Sequence, residues 1–446
     1  MAKRPFDELP MTVFQWKVTL LSSMGMLMDG YVLTIFSALI MMPKWGLSSI
    51  FSPTSFEIGL MGSAPFVGML VGSVIFGNLA DRVGRKKIYT LDLSITALFL
   101  VLTAFSFNWL EFFILELLAG IGIGADYPIS SSIQSEFSPR NKRGMLLVLN
   151  IFSWTIGSII ILLLAIPFYS LGPLDWRVMY ASAAIIPIIV IFARSSLPET
   201  PDWLILKGDR SKAEESVRMI AKGAGETPED AITSIHIEKG KTSIKSLFSK
   251  SYLTLTLFST IAWFSYDFVS YGVWNFTPAV FSTTSSYAMS IIGTLLEEVP
   301  VFIGFIICIA LVEKKGRRIL EELGFLGAGV SLAAFAALAY FVPNITSYFA
   351  LTFAAFAIMH IFHNVGPTNL TYAYPSEIYP TRLRGTGHGL ATAFSRIGAI
   401  VGTISFAVVF ITMKLPAVLI VIAVFEFLGF VVTYLWAPEV KGKKLS

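Results

Sequence analysis

Long apolar runs alternate with short charged segments along the whole chain, and this alternation restricts the possible folds more than any other feature. Of the 446 residues, 55% are hydrophobic and 14% are charged, whereas soluble domains carry about 25% charged residues. Each run is long enough for a helix to cross a bilayer, which takes roughly 20 residues. The sequence therefore predicts an all-α polytopic membrane protein. Its twelve predicted transmembrane helices lie near 15–41, 56–79, 89–108, 110–134, 145–170, 177–197, 252–280, 287–312, 319–341, 346–374, 385–412 and 415–437.

Basic residues are concentrated on one side of the predicted bundle. The chain has 33 lysines and arginines. With both termini on the same side of twelve spans, only Lys44, Arg177 and Lys414 fall on the other side, and only Arg396 falls within a span. Positive charge collects on the cytoplasmic side of membrane proteins. We therefore expect a multi-pass protein of the cell (plasma) membrane with both termini in the cytoplasm.

Two short motifs occur twice, at matching positions in the two halves of the chain. Ala80–Lys86 recurs as Val312–Arg318, and Glu136–Gly144 recurs as Glu377–Gly385. The first motif follows the second predicted helix of each half, and the other follows the fourth. Repetition at about half the chain length indicates two six-helix units in parallel repeat. We expect an N-terminal bundle over 1–197, a cytoplasmic central loop over 198–250 and a C-terminal bundle over 251–446.

The repeated motifs combine acids, bases and a glycine, so they are suited to joining neighbouring helix ends through charge-assisted hydrogen bonds. The alternative is that their bases only follow the asymmetry of positive charge across the membrane. Repetition in the same order favours a latch between the halves. The predicted gating residues are Asp81, Arg82, Gly84, Arg85, Glu136, Arg143, Glu313, Gly316, Arg317, Glu377 and Arg384.

The first motif also carries a resemblance to a known family. Gly77–Lys86, with the sequence Gly-Asn-Leu-Ala-Asp-Arg-Val-Gly-Arg-Lys, resembles the loop signature of the major facilitator superfamily. Pro198–Leu204 is similar to the segment after the sixth helix in sugar porters and their relatives. The resemblance covers almost the whole chain, apart from the central loop beyond residue 205. It implies twelve helices, a central cavity and alternating access.

Several ionisable side chains fall inside predicted spans, where each costs about 2.5–3.5 kcal/mol by insertion scales. Asp126 follows three alternate glycines, which let a neighbouring helix approach closely. It precedes Pro128, which frees a backbone carbonyl. Trp263, Asp267 and Tyr271 recur every four residues and so share one helix face. Such groups either border a hydrated pathway and carry protons, or bond to neighbouring helices as structural groups. The predicted proton-coupling residues are Asp126 and Asp267, with Asp29 and Glu297 as secondary candidates.

The same residues resemble the phosphate:proton symporter family. The resemblance rests on Gly124–Ser130, on the stripe of Trp263, Asp267 and Tyr271, and on Asn364–Asn369. It implies that the substrate and proton pathway includes Asp126, Tyr127, Trp263, Asp267 and Tyr271. The chain departs from that family where Trp154 replaces a fifth-helix glutamine and Arg396 replaces an eleventh-helix lysine. The arginine is similar instead to the pattern of organic-anion and aromatic-acid transporters.

Arg396 is the best indicator of the substrate. Its guanidinium keeps its charge at any working pH, and its planar fork matches a carboxylate or a phosphate. It must therefore face a transient anion or a permanent acid, and the candidate acids are Asp29, Asp126, Asp267 and Glu297. The predicted substrate-binding residues are Arg396, Tyr127, Trp263, Tyr271, Asn364, Asn369 and Trp154.

The sequence therefore predicts a secondary transporter that couples protons to a small anion, either phosphate or an organic acid. A porter of a sugar or another neutral solute is the main alternative. We expect no enzyme, no cofactor and no metal, because the sequence has no catalytic triad, metal-ligand cluster or Gly-Lys-Ser/Thr phosphate loop. We also expect no nucleic acid, since no basic stripe with interleaved aromatic residues is present. The expected partners are a small solute, protons and the lipid bilayer. We expect the protein to be a monomer.

Overall fold

The computed structural model describes residues 6–40, 42, 51–224, 240, 242–274, 287–342, 349–412 and 415–445. Lys44 and Lys414, two of the three bases that the sequence analysis assigns to the less basic side, lie outside the described residues. Residues 225–239 of the predicted central loop also lie outside them.

Long helices form at all twelve predicted spans, because each run satisfies its backbone hydrogen bonds internally and exposes apolar side chains. The first half contains α1 (Val13–Ile40), α2 (Ser55–Val83), α3 (Arg85–Thr103), α4 (Trp109–Phe137), α5 (Arg143–Tyr169) and α6 (Asp175–Arg194). Two short helices follow, α7 (Pro201–Leu206) and α8 (Arg210–Ala224). The second half contains α9 (Leu253–Trp274), α10 (Tyr287–Lys315), α11 (Arg317–Phe341), α12 (Phe349–Val365), α13 (Pro367–Ile378), α14 (Arg384–Thr412) and α15 (Leu415–Trp436).

The all-α membrane fold predicted from the sequence is confirmed. Within the described ranges there is no β-strand, and nine helical segments are long and apolar enough to cross a membrane. The tenth span was predicted as a single helix, but the structure breaks it into α12 and α13. Gly366 lies at the break with φ −131° and ψ −87°, and Pro367, which has no backbone N–H to donate, starts the next helix. This break leaves Asn364 and Thr368 on either side of a non-helical residue.

The two halves pack in the same way. Gly157 on α5 packs against the backbone of Leu27 on α1, and Gly398 on α14 packs against the backbone of Phe264 on α9. A side chain at either glycine would overlap the facing helix, so both positions need the missing Cβ. The halves meet each other where α2 runs along α14 and where α5 runs along α10. These two contacts are equivalent under the repeat, and they enclose the space between the halves.

Candidate substrate cavity and latch

A cavity with an empty volume of about 800 Å³ lies between the two halves. The first half contributes residues of α4 and α5, and the second half contributes residues of α9, α10, α12, α13 and α14. Aromatic rings form much of its wall, namely Tyr127, Trp154, Trp263, Tyr266, Tyr271, Phe305 and Tyr372. Its polar groups are Thr155, Asp267, Ser270, His360, His363, Asn364, Thr368 and Arg396. Largely apolar walls with a few polar groups are typical of small-molecule sites.

Arg396 and Asp267 form an ion pair in the cavity wall. Nη1 of Arg396 lies 3.2 Å from Oδ2 of Asp267 and donates to the hydroxyl of Tyr271 at 3.1 Å. The guanidinium carbon also lies 4.7 Å from the ring centre of Tyr127, within cation–π range. Both charged side chains are about 98% buried. Among the four candidate acids, Asp267 is therefore the ion-pair partner of Arg396.

Aromatic contacts join the two halves beside this ion pair. The ring of Tyr127 on α4 lies 6.2 Å from Trp263 on α9 and 6.1 Å from Tyr372 on α13, measured between ring centres. Trp263 also contacts His388 edge to face at 5.3 Å. Edge-to-face and tilted contacts at these distances are favourable. Rings from both halves therefore meet in the wall of the cavity.

The structure brings together most of the predicted substrate-binding residues. Seven predicted site residues line the cavity: Tyr127, Trp154, Trp263, Asp267, Tyr271, Asn364 and Arg396. Asn369 does not line it; its side-chain amide instead donates to the backbone carbonyl of Asn364. Asp29, Asp126 and Glu297 also lie outside the cavity wall.

Asp126 is held by an arginine. Its Oδ1 accepts from Nη1 of Arg194 at 3.2 Å and from the hydroxyl of Ser130 at 2.8 Å. Arg194 lies in the last turn of α6, only 2% exposed, with its guanidinium over the ring of Tyr89. The expectation that Arg396 is the only arginine within a span is therefore wrong. The sequence puts Arg194 at the end of an apolar run, beside the predicted central loop, and this position alone does not show that its side chain is buried.

The other two acids have different surroundings. Asp29 on α1 is fully buried, and neither of its carboxylate oxygens has a hydrogen-bond partner in the described part of the chain. Glu297 on α10 is half-buried. Glu426, an acid in the last apolar run that was not predicted as a site residue, pairs with His363 on α12 at 2.5 Å. Its position within an apolar run was the available signal.

The repeated loop motifs meet at one end of the bundle, which we call the motif end. Oε1 of Glu136, from the first half, lies 3.1 Å from Nη2 of Arg85 and 2.5 Å from Nη1 of Arg384, from the second half. All three side chains are almost fully buried. Arg85 also donates to the carbonyl of Thr381 at 2.7 Å. We call the group of Glu136, Arg85 and Arg384 the latch, because it joins the halves through buried charge.

Further contacts across the halves surround the latch. Asp81 accepts from the backbone of Gly385 at 3.1 Å and from the backbone and hydroxyl of Thr386 at 2.7 Å. Arg143 donates to the carbonyl of Lys443 at 3.0 Å, and Glu313 accepts from the backbone of Met145 at 3.1 Å. Arg317 pairs within its own half, with Glu313 at 2.8 Å and with Glu377 at 3.0 Å. Arg82 is exposed and donates to the carbonyl of Thr242 at 3.5 Å.

A third repeat, which the sequence analysis missed, supports both motif glycines. Glu199 accepts from the backbone N–H groups of Arg85 and Lys86, at the start of α3. Glu439 does the same for Arg317 and Arg318, at the start of α11. A carboxylate at a helix start satisfies free N–H groups and complements the helix dipole. The dipeptide Pro198-Glu199, recurring as Pro438-Glu439, was the signal in the sequence.

Burial raises the pKa of two acids that lie at the motif end, outside the membrane-spanning helices. Burial raises the pKa of Asp202 on α7 to about 7, and the nearby negative charge of Glu136 adds to the effect. Burial also raises the pKa of Glu199, against the lowering effect of Arg85. Asp202 lies 3.9 Å from Arg384. The motif end therefore contains an acid beside the latch whose charge changes near neutral pH.

Comparisons with known proteins agree with this architecture. The model of a family described as "Sugar (and other) transporter" matches residues 18–446. The inner membrane metabolite transport protein YgcS of Escherichia coli is 30% identical over 447 residues, which cover 98% of this chain and 95% of YgcS. The niacin transporter NiaP of Acinetobacter baylyi is 28% identical over 408 residues, which cover 89% of this chain and 88% of NiaP.

A solved structure has the same fold. The major facilitator superfamily proton:xylose symporter XylE, bound to 6-bromo-6-deoxy-D-glucose, superposes with a TM-score of 0.83. The match covers 97% of this chain and 98% of XylE at 21% identity. The twelve-helix architecture predicted from the sequence is therefore that of the major facilitator superfamily.

Proposed function

We propose that this chain, which belongs to the sugar (and other) transporter family, carries out proton-coupled symport of a small organic anion by alternating access. Membership of that family makes it a secondary transporter and not an enzyme. The observation that supports an anionic substrate is the guanidinium of Arg396 in an aromatic cavity, where Asp267 balances its charge. The proton coupling and the anion are the proposal.

The ion pair supplies a reason for coupling. In the empty cavity Asp267 neutralises Arg396. An anion that binds the guanidinium competes with Asp267, and a proton on Asp267 removes this competition. Leaving either charge buried without a partner is strongly unfavourable. The site therefore passes between its two sides in two neutral forms, either empty with the ion pair intact, or loaded with both a proton and an anion.

The walls of the cavity favour an organic acid over phosphate. Phosphate needs hydrogen-bond donors around all its oxygens, whereas much of this wall consists of aromatic rings. A flat molecule with one carboxylate can stack on the rings while its carboxylate binds Arg396. NiaP, a relative of this chain, transports niacin, which is a pyridine carboxylate. We infer that aromatic or heteroaromatic monocarboxylates are the substrate class.

We further propose that the motif end faces the cytoplasm. The asymmetry of basic residues supports this orientation, since the termini and the motif loops carry most of the chain's lysines and arginines. The same proposal puts both termini in the cytoplasm and the chain, as a monomer, in the cell membrane. The predicted boundaries of the two bundles, at 197 and 251, form part of this proposal.

Uptake by purified protein in liposomes tests the function. Labelled nicotinate, phosphate and xylose are offered with an inward proton gradient at zero membrane potential. We expect uptake of nicotinate that rises with the pH gradient. Arg396→Gln should lower this uptake roughly 10- to 100-fold, since hydrogen bonds to charged groups contribute about 1.5–3 kcal/mol. Asp267→Asn should still exchange nicotinate across the membrane but should no longer accumulate it against a gradient.

Glu298→Gln is the matched control. Glu298 is a buried acid on α10 that does not line the cavity, so uptake should stay near that of the parent. Nicotinate uptake that ignores the pH gradient would contradict proton coupling. Normal uptake by both Arg396→Gln and Arg396→Lys would contradict anion recognition by this residue.

A neutral solute is the second candidate, and one observation favours it. The cavity also contains hydroxyl and amide groups, at Thr155, Ser270, Asn364 and Thr368, which suit the hydroxyls of a sugar. XylE, which has the same fold, is a xylose symporter. Xylose uptake that persists in Arg396→Gln, without any nicotinate uptake in the parent, would favour this alternative.

A further inference from the structure

A second buried pair of titratable side chains borders the cavity. His363 on α12 lines the cavity, and its Nε2 lies 2.5 Å from Oε1 of Glu426 on α15. His363 is 2% exposed and Glu426 is fully buried. Glu426 is not a wall residue, so His363 lies between its carboxylate and the cavity. The proposed function above makes no use of either residue.

The surroundings of this pair contain few other charges. Oε2 of Glu426 has no hydrogen-bond partner within the described ranges. Among the described residues, His363 is the charged or titratable group that interacts electrostatically with the Glu426 carboxyl. Tyr266 on α9 packs its ring 5.4 Å from that of His363, and α11 presents Gly329 to the glutamate. His360, one turn earlier on α12, faces the cavity with an Nε2 that has no partner in the described residues. Asp267 and Arg396 line the same cavity and form an ion pair with each other.

We propose that His363 and Glu426 together bind a second transported proton, which enters from the cavity through His363. This inference rests on the proposed function, in which Asp267 takes the first proton. With no proton on the pair, a carboxylate would be buried beside a neutral imidazole, without a compensating charge. With one proton, the pair is either an ion pair or two neutral groups that share a hydrogen bond. The loaded cavity therefore closes with the pair protonated, and transport of this proton requires the empty cavity to return with the pair deprotonated, as a net negative charge that a membrane potential acts on.

Release follows from hydration. When the cavity opens to one side, water reaches His363 and solvates the charge that deprotonation leaves behind. The proton then leaves to the side to which the cavity is open, and release is more complete when that side has the higher pH. Because the pair shares the cavity with Arg396, its proton and the anion are exposed to the same side at the same time. That shared exposure is the condition for coupling.

A second proton changes the energetics of transport. One proton with a monoanion moves no net charge, so accumulation is limited to about tenfold per pH unit. Two protons with a monoanion move one positive charge, so a membrane potential of 100 mV adds roughly 50-fold and the second proton adds about tenfold per pH unit. The pair therefore determines whether uptake responds to voltage.

The test measures nicotinate uptake into liposomes under two separate driving forces. One is a pH gradient at zero potential, and the other is an inside-negative potassium diffusion potential of about 100 mV at equal pH. The parent should respond to both forces. Glu426→Gln and His363→Gln should respond to the pH gradient alone and lose the voltage-driven accumulation of roughly 50-fold. Glu321→Gln is the matched control, since Glu321 on α11 is fully buried and lies outside the cavity wall, and it should keep both responses.

The outcomes separate this inference from the proposed function. A parent that ignores the pH gradient overturns the proposed function. A parent that responds to the pH gradient and ignores voltage overturns only the second proton. Voltage-driven accumulation that survives in Glu426→Gln, or in His363→Gln if the first variant does not fold, also overturns it. Stabilisation of each purified variant against heat by nicotinate shows whether the variant is folded.

Discussion

Asp126 and Arg194 illustrate, at the residue scale, how an intramembrane charge depends on its partner. The sequence marks Asp126 as an acid among glycines, and this setting alone favours a proton carrier. The structure pairs it with Arg194 in a fully buried contact at 3.2 Å, outside the cavity wall. Asp267 has the same chemistry, and its ion pair lies in the cavity wall. The difference between the two acids is therefore access to the cavity, which residue type does not reveal.

We expect the pair of Asp126 and Arg194 to be strongly coupled in stability. Asp126→Asn or Arg194→Gln alone leaves one buried charge without a partner, which costs about 3–5 kcal/mol. The double variant removes both charges, so it should be more stable than either single variant. Thermal unfolding of the four purified proteins in detergent measures this cycle. Additive effects of the two substitutions would contradict a direct ion pair.

At the element scale, helix starts are built identically in both halves. Gly84 and Gly316 have φ of +119° and +94°, and each precedes a helix whose first N–H groups bind a distant glutamate. A Cβ at Gly84 would overlap the carboxylate of Glu199, and one at Gly316 would overlap that of Glu439. The glycine therefore serves two needs at once, the backbone angle and the space for the capping acid.

Gly84→Ala should destabilise the protein more than Gly208→Ala. Both glycines have positive φ, and Gly84, with ψ of 148°, lies in a backbone region almost restricted to glycine, where a side chain costs about 1–3 kcal/mol. At Gly208 nothing lies within 4 Å of the added Cβ. At Gly84 the methyl group also displaces Glu199 from the start of α3, and the loss of a cap costs about 0.5–2 kcal/mol more. The melting temperatures of both variants test this difference, and equal shifts would mean that Glu199 does not stabilise the helix.

The elements could be predicted from the sequence far better than their contacts. Hydropathy located all twelve spans, because a bilayer demands long apolar runs whatever the packing. The break at Gly366 was not predicted, since Gly-Pro within an apolar run also occurs in merely kinked helices. Glu426 was recognisable as an acid in an apolar run, yet its partner His363 lies 63 residues away on another helix. Pairing of this kind depends on how helices rotate and pack against each other, which a single sequence does not specify.

For the whole molecule, the halves are joined by different chemistry at the motif end and beside the cavity. At the motif end, Glu136 joins Arg85 of its own half to Arg384 of the other half. Beside the cavity, rings join the halves instead, for example Phe152 with Phe305 and Phe66 with Tyr271. Aromatic contacts separate without leaving buried charges, whereas separation of the latch requires water to reach three charged groups. Under the proposed alternating access, separation of the halves at the motif end therefore meets an electrostatic barrier.

Glu136→Gln should open the motif end. Without the negative charge of Glu136, Arg85 keeps only Asp81 as an ion-pair partner, and Arg384 keeps only Asp202, which lies 3.9 Å away. The closed form is therefore destabilised. A penalty near 3 kcal/mol would shift the equilibrium towards separated halves on the order of 100-fold. Spin labels at Lys142 and Lys315, exposed positions on opposite halves, report this change on a Cys308→Ser background. Double electron–electron resonance should detect, in the variant, a population with a longer distance between the two labels. This population should be rare in the parent.

Glu8→Gln separates this effect from a general loss of negative charge. Glu8 pairs with Arg140 at 2.5 Å, but both side chains are about one-third exposed, and such pairs contribute little. Its distance distribution should therefore match that of the parent. If Glu136→Gln also leaves the distribution unchanged, the buried latch does not hold the halves together. The backbone contacts of Asp81 with Gly385 and Thr386 would then be sufficient to keep the motif end closed.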